Sequence, residues 1–316
     1  MKKILTVAAL TCAMLLGGCG AVNDTDTSQV VFTIGDEQVT ENEFRFYYDT
    51  YKQNMDLGAA KETSLEYAEN DRKILAVAKA KGIELDDEDK KELETQMDSV
   101  KENYDSDGGY DEFLKQSNIT NSYVEKLVSI PIYKENLEEL MEDKEYTDEE
   151  KREFFKTHYR RAKHILISTV NNETGEELSE EEQAAAKTKA EELLERAKNG
   201  EDFDALVKEF SEDPGSATYP DGYVFTDNDM VIEFQDGVDS IQPGEFTLVK
   251  STYGYHVIQR LPLDETYEGF ETEYNNVKDK LDSAMEEEDF NNQLDIWAQE
   301  SGIEFVINQE VYDSIQ

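Results

Sequence analysis

The sequence predicts an α+β chain: a small antiparallel sheet with helices, set as an insertion in a mainly helical module built from both ends. Three observations carry this. Residues 160–262 hold two of the three histidines, His164 and His256, and four of the five prolines, Pro214, Pro220, Pro243 and Pro262. The sequence on either side is acidic, helix-forming and poor in turns, and such a change of grammar marks a separate domain. A short β-prone run stands near each end, at residues 29–34 and 303–307, and each is a candidate partner for the other.

The chain has 316 residues, enough for two or three domains, and a formal net charge of −43 with 33% charged residues. So acidic a surface disfavours nucleic acid and unassisted docking on anionic lipid, and favours solubility and capture of basic partners. A hydrophobic content of 38%, with 17 Tyr and 14 Phe, argues against wholesale disorder. Two cysteines do not make a disulfide scaffold.

Residues 1–18 read as a targeting segment. Lys2 and Lys3 precede an apolar run from Ile4 to Leu16 that is too short to span a bilayer, which takes ~20 residues. Residues 19–28, small and polar, read as a tether. Residues 29–34 form a strand ended by Gly35-Asp36, and Thr40-x-x-Glu43 is a capping box with Val39 and Phe44 placed as a hydrophobic staple. Phe44, Tyr47, Tyr48 and Tyr51 continue the helix as an aromatic face that reads as core. Further helices fit residues 65–81, 88–103, 110–116 and 122–143, the last kinked or split at Pro131. Thr147-x-x-Glu150 opens another. The region 29–158 is therefore helical with one strand. Its acidic clusters read as solvated faces: the run from Asp105 to Gly109 begins like a calcium loop, but its fifth position is Gly109 and the closing carboxylate is missing. No metal or other cofactor is expected.

The central stretch, residues 159–263, then alternates. Residues 161–169 form a strand with Ala162, His164, Leu166 and Ser168 on one face and Lys163, Ile165 and Ile167 on the other. Ser179-x-x-Glu182 caps a helix ending at Asn199-Gly200, and Asp202 caps a second. A loop dense in Asp, Pro, Gly and Ser follows. Residues 223–225 form a short strand, 230–234 a helical turn, and Pro243-Gly244 a tight turn before strands at 245–250 and 255–261. After Pro262, residues 267–300 read as one long helix whose apolar stripe cannot be buried alone. With a last strand at 303–307, residues 264–316 complete the module begun by the N-terminal helices.

Several strings in the central stretch, in this order and spacing, resemble the parvulin family of peptidyl-prolyl isomerases. They are Ala162-Lys163-His164-Ile165-Leu166, Ser211-Glu212-Asp213-Pro214-Gly215-Ser216-Ala217, Met230-Val231-Ile232-Glu233-Phe234, Gln242-Pro243-Gly244-Glu245 and Gly254-Tyr255-His256-Val257-Ile258. The sequence Leu16-Gly17-Gly18-Cys19 resembles the lipobox of bacterial lipoproteins, in which the signal peptide is cut before a cysteine that then carries lipid. Loss of Lys2 and Lys3 with that peptide takes the formal charge from −43 to −45. The lipobox, the helical flanks and the opening from Val30 to Phe44 extend the resemblance to PrsA-type extracytoplasmic foldases and, more loosely, to SurA-type chaperones.

The parvulin resemblance implies catalytic roles for His164, Asp213, Ser251 and His256: two histidines holding a hydrogen-bonded network, the family's catalytic Asp or Cys, and a network hydroxyl. It implies a proline pocket lined by Met230, Phe234, Phe225 and Leu166. Taken singly, a strand histidine is more often a satisfied core residue, and Asp213 before Pro214-Gly215 also fits an Asx turn. One departure falls on the pocket wall: Pro220-Asp221-Gly222-Tyr223-Val224-Phe225 is a residue shorter than the Gly-Gly-Asp-Leu-Gly-Trp/Phe segment of many parvulins. The basic cluster that selects phosphoserine-proline in some parvulins has no counterpart, which argues against phosphopeptide specificity.

The function implied is a lipid-anchored isomerase and foldase at the outer face of a bacterial cytoplasmic membrane. Its partners would be unfolded or partly folded secreted polypeptides, with the membrane reached through the lipid on Cys19 and no nucleic acid; a homodimer is allowed for. The alternative is a holdase chaperone with an inactive parvulin domain.

Overall fold

The computed structural model describes residues 25–53, 57–104, 109–171, 174–227 and 229–315. The targeting segment, Cys19 and most of the calcium-like loop, Asp105 to Gly108, lie outside the described residues. The chain divides into two units, residues 1–144 with 287–316 and residues 145–286.

In the first unit, β1 (Val30–Ile34) turns at Gly35-Asp36 and pairs antiparallel with β2 (Glu37–Thr40). The sequence reading had one strand here. The second forms because the turn is tight enough to fold the next residues back, which places Val39 opposite Phe32. Thr40 then caps α1 (Glu41–Tyr51): its hydroxyl accepts from Glu43 N–H at 3.3 Å and its own N–H donates to the Glu43 carboxylate at 3.1 Å. The staple residues Val39 and Phe44 are both fully buried in one cluster. Next come α2 (Leu57–Ala80), α3 (Asp87–Asn103), α4 (Tyr110–Ser117) and α5 (Asn121–Glu138). Pro131 does not split α5. Its neighbours Ile130 and Ile132 are both buried, so side-chain burial holds the helix across the hydrogen bond that proline cannot make.

The second unit opens with α6 (Asp148–His158), capped by Thr147 and Glu150, and then β3 (Arg160–Ser168). It continues with α7 (Glu180–Lys198), α8 (Phe203–Phe210), β4 (Tyr223–Phe225), α9 (Ile232–Asp239), β5 (Phe246–Lys250) and β6 (Gly254–Leu261). Its four strands form an antiparallel sheet in the order β4-β3-β6-β5. One face buries Ile165, Ile167 and Val257 against α7 and α8. The other buries Ala162, Phe225 and Ile258 against Phe234 and Val238 of α9. The α+β class and the alternation of the first strand are as the sequence predicts. The expected helical turn is instead a longer helix that starts after Met230, since Val231 is its N-cap.

The long helix α10 (Phe270–Glu300) gives Phe270, Tyr274 and Leu281 to the second unit, packed with Phe155, and Phe290, Leu294 and Trp297 to the first. β7 (Phe305–Ile307) pairs antiparallel with β1, Phe32 opposite Ile307 and Ile34 opposite Phe305, giving the sheet order β2-β1-β7. A short helix the sequence reading did not include, α11 (Gln309–Ser314), is capped by Asn308 and buries Val311 with β1 residues.

Arg72, on α2, is fully buried, with Nη2 3.4 Å from Glu43 Oε2 and the guanidinium 5.5 Å from the centre of the Tyr123 ring. Beside it Tyr47 donates to Asp71 at 2.5 Å, and Tyr123 donates to the Glu43 carbonyl at 3.2 Å. Removing one member of a buried ion pair leaves the other desolvated and unmatched. Arg72→Ala is therefore expected to destabilise the first unit by about 3–5 kcal/mol. The fluorescence of Trp297, which lies in that unit, followed in denaturant, measures the loss.

Candidate functional site

The site is built on the α9-facing side of the second sheet. The β3–β6 register places Leu166 opposite His256 and His164 opposite Ile258, so the two histidines are diagonal neighbours on one face. Their ring centres are 5.1 Å apart. Phe234 of α9 meets both edge-on, at 5.1 Å from His164 and 5.6 Å from His256. Phe225 of β4 packs on Phe234 at 5.8 Å.

The loop after α8 brings in the carboxylate. It is clamped along the edge of β3: Glu212 N–H donates to the Leu166 carbonyl at 2.8 Å, Leu166 N–H to Ser211 Oγ at 3.2 Å, and Ser168 N–H to the Glu212 carboxylate at 2.8 Å. Asp213 then projects toward His164, with Oδ2 3.6 Å from Nε2. Its Oδ1 accepts from Gly215 N–H at 3.0 Å, so the Asx turn and the placement beside the histidine occur together. Ser251 stands in the turn between β5 and β6 and shares a 2.7 Å hydrogen bond with His256 Nε2. Its hydroxyl also accepts from Tyr253 N–H at 3.1 Å.

The sequence-predicted polar set, His164, Asp213, Ser251 and His256, thus meets at one place. Of the apolar set, Phe234 lies between the histidines and Phe225 packs on it, both almost wholly buried. Met230 is half-buried against the same cluster, just before α9. Leu166 is half-buried on β3, opposite His256. His158 stacks on Phe154 of α6. A groove of about 610 Å³ in the first unit, lined in part by Leu75, Ile83, Leu93, Lys126 and Tyr133, contains none of these residues.

Electrostatically the site keeps its imidazoles neutral. Burial pushes His164 below its ordinary value, with the Asp213 charge opposing. Burial, and then the neighbouring His164, push His256 down to about 3. The Nδ1 atoms of both rings are buried without a hydrogen-bond partner. What the arrangement offers is neutral donors and acceptors and one carboxylate beside two buried aromatic rings and the half-buried Met230 and Leu166. Sequence reasoning gave no site role to Tyr223, whose hydroxyl donates to Asp213 Oδ2 at 2.5 Å. The available signal was its place in the segment that departs from the parvulin pattern.

Residues 147–261 match the family described as the PPIC-type PPIase domain. The Foldase protein PrsA of Halalkalibacterium halodurans is 27% identical over 91% of this chain and 81% of its own length. The Foldase protein PrsA of a Geobacillus species, strain WCH70, is 29% identical over 90% of each chain. The Chaperone SurA of Pseudomonas syringae pv. tomato is 42% identical over 101 residues, 31% of this chain and 22% of its own. Residues 147–261 are therefore a PPIC-type peptidyl-prolyl cis/trans isomerase domain, and over about nine-tenths of its length the chain is similar to PrsA-type parvulin foldases.

Proposed function

We propose that this chain isomerises X–Pro bonds in unfolded or partly folded secreted polypeptides, held by a lipid on Cys19 at the outer face of a bacterial cytoplasmic membrane. The observation that carries the catalytic part is the meeting of His164, Asp213, Ser251, His256 and Phe234, drawn from separate elements, on one sheet face. Rotation about an X–Pro bond faces a barrier of ~18–20 kcal/mol from amide resonance, and no bond to the enzyme is needed to lower it. A site must hold the proline ring and favour the twisted amide over the planar one. In this reading the half-buried Met230 and Leu166 flank the ring, with Phe234 and Phe225 packed behind them. The neutral pair His164 and His256, the latter tied to Ser251, supplies a polar bed under the carbonyl, and Asp213 completes it. The secretory and membrane parts rest on the charged start, the apolar run and Leu16-Gly17-Gly18-Cys19.

In a peptide-isomerisation assay the full chain is expected to accelerate a non-phosphorylated X–Pro substrate. His164→Ala and Asp213→Ala are each expected to lose most of that rate, roughly tenfold or more. A wild-type chain that gives only the uncatalysed rate while still suppressing aggregation of an unfolded protein would replace this reading with a holdase.

Anchoring is tested in cells that process lipoproteins. The wild-type chain is expected to incorporate labelled fatty acid and sediment with membranes, and Cys19→Ser to do neither.

Protonation gives a third test. Unfolded, His256 takes up its proton near 6.5; folded, at about 3. Between those values the unfolded chain binds more protons, so the second unit loses stability as pH falls from about 6.5 to about 3 and is unaffected by this group above that window. The imidazole resonances of His256, followed by NMR, should stay those of a neutral ring down to the acid end of that range.

A further inference from the structure

Tyr223 joins three parts of the site. Its hydroxyl reaches Asp213 Oδ2. Its ring lies within 27° of parallel to that of His164, centres 5.7 Å apart, and meets Tyr219 at 4.8 Å. Two glycines make room for it. A β-carbon on Gly215 would stand 2.1 Å from the Tyr223 hydroxyl oxygen. Gly222, at φ +94°, lets the chain enter β4 against the Ala162 carbonyl, which a β-carbon there would approach to 2.8 Å.

Asp213 is held from both sides. Oδ1 accepts from Gly215 N–H and Oδ2 from Tyr223, which leaves Oδ2 at 3.6 Å from His164 Nε2, beyond a hydrogen bond. A carboxylate free of the Tyr223 hydroxyl can turn toward Nε2, and a negative charge closer to the imidazole favours its protonated form.

We propose that Tyr223 is a positioning residue of the isomerase, whose hydroxyl holds the Asp213 carboxylate off His164 so that this imidazole stays neutral and its Nε2 stays available to substrate. The proposal rests on the isomerase reading above. The groups that face His164 are Asp213 from the loop after α8, Tyr223 from β4 and His256 from β6, with Ser251 behind the last. Glu212 is committed to Ser168 N–H, and Lys163 points to the other side of the sheet, where it pairs with Asp204 of α8. Asp213 is thus the carboxylate whose charge opposes the effect of burial on His164. The Tyr223 phenol, raised above its ordinary value by burial and by Asp213, stays protonated and remains the donor.

The test uses the full chain and Tyr223→Phe, which keeps the ring and removes the hydroxyl. At neutral pH kcat/KM for a non-phosphorylated X–Pro peptide is expected to fall roughly tenfold, mainly through kcat, as loss of a hydrogen bond to a charged group implies. The acid limb of the pH profile is expected to move up by about one pH unit, and the NMR titration of the His164 ring to move with it. Gly215→Ala, whose β-carbon displaces the hydroxyl from Asp213, should reproduce the upward shift, and serves if Tyr223→Phe folds poorly. A Tyr223→Phe chain with the wild-type pH profile and an unmoved His164 titration overturns the proposal, even if it melts at lower temperature. An inactive wild-type chain would instead remove the isomerase reading, and the His164 titration in the two variants would still decide whether Tyr223 holds Asp213 away.

Discussion

The register between β3 and β6, which runs from Arg161 opposite Leu261 to Ser168 opposite Gly254, is the constraint on which the site depends. Side chains alternate across a strand, so a slip of one residue would send His164 or His256 to the face that packs on α7 and α8. The same pairing aligns Ala162 and Ile258 under α9, and that apolar contact sets Phe234 between the histidines. Two buried clusters, one on each face of the sheet, therefore fix the position of a polar group that neither could hold alone.

Along that frame, each polar residue is placed by a local main-chain device. Asp213 is carried by a loop whose N–H and side-chain groups bond to β3 beyond the end of β4, so the loop continues the sheet edge where the strand stops. Ser251 sits in a tight turn in which its N–H donates to the Gly254 carbonyl at 2.9 Å. Burying two imidazoles is tolerable because each stays neutral; charging either would desolvate an ion beside another ring.

Much of this could be read from the residues. The four-strand domain, its helix caps and the face shared by His164 and Leu166 follow from period, capping pairs and turn chemistry, which act within a few residues. So does the pairing of the first and last short strands, because two apolar runs that cannot bury themselves need partners. Less legible were features decided by distant packing. β2 is four residues ended by a cap, too short to announce itself. Pro131 reads as a break, yet burial of Ile130 and Ile132 overrides it. Arg72 looks like any helix arginine until α1 and α5 close over it. Tyr223 gains its meaning only when a loop ten residues earlier folds back to meet its hydroxyl.

The strand β7 has a consequence for how the molecule is made. β1 lies between β2 and β7, and its second partner is separated from it by most of the chain. During synthesis from the N-terminus, β1 and β2 emerge early, but one edge of β1 stays open until residues 305–307 have appeared, whereas residues 145–286 have all the strands of their own sheet by residue 261. Long loop closures of this kind are slow, and an open strand edge is a template for pairing with other chains. For that interval a chain similar to foldases is itself an unfinished polypeptide, with a strand edge open to pairing.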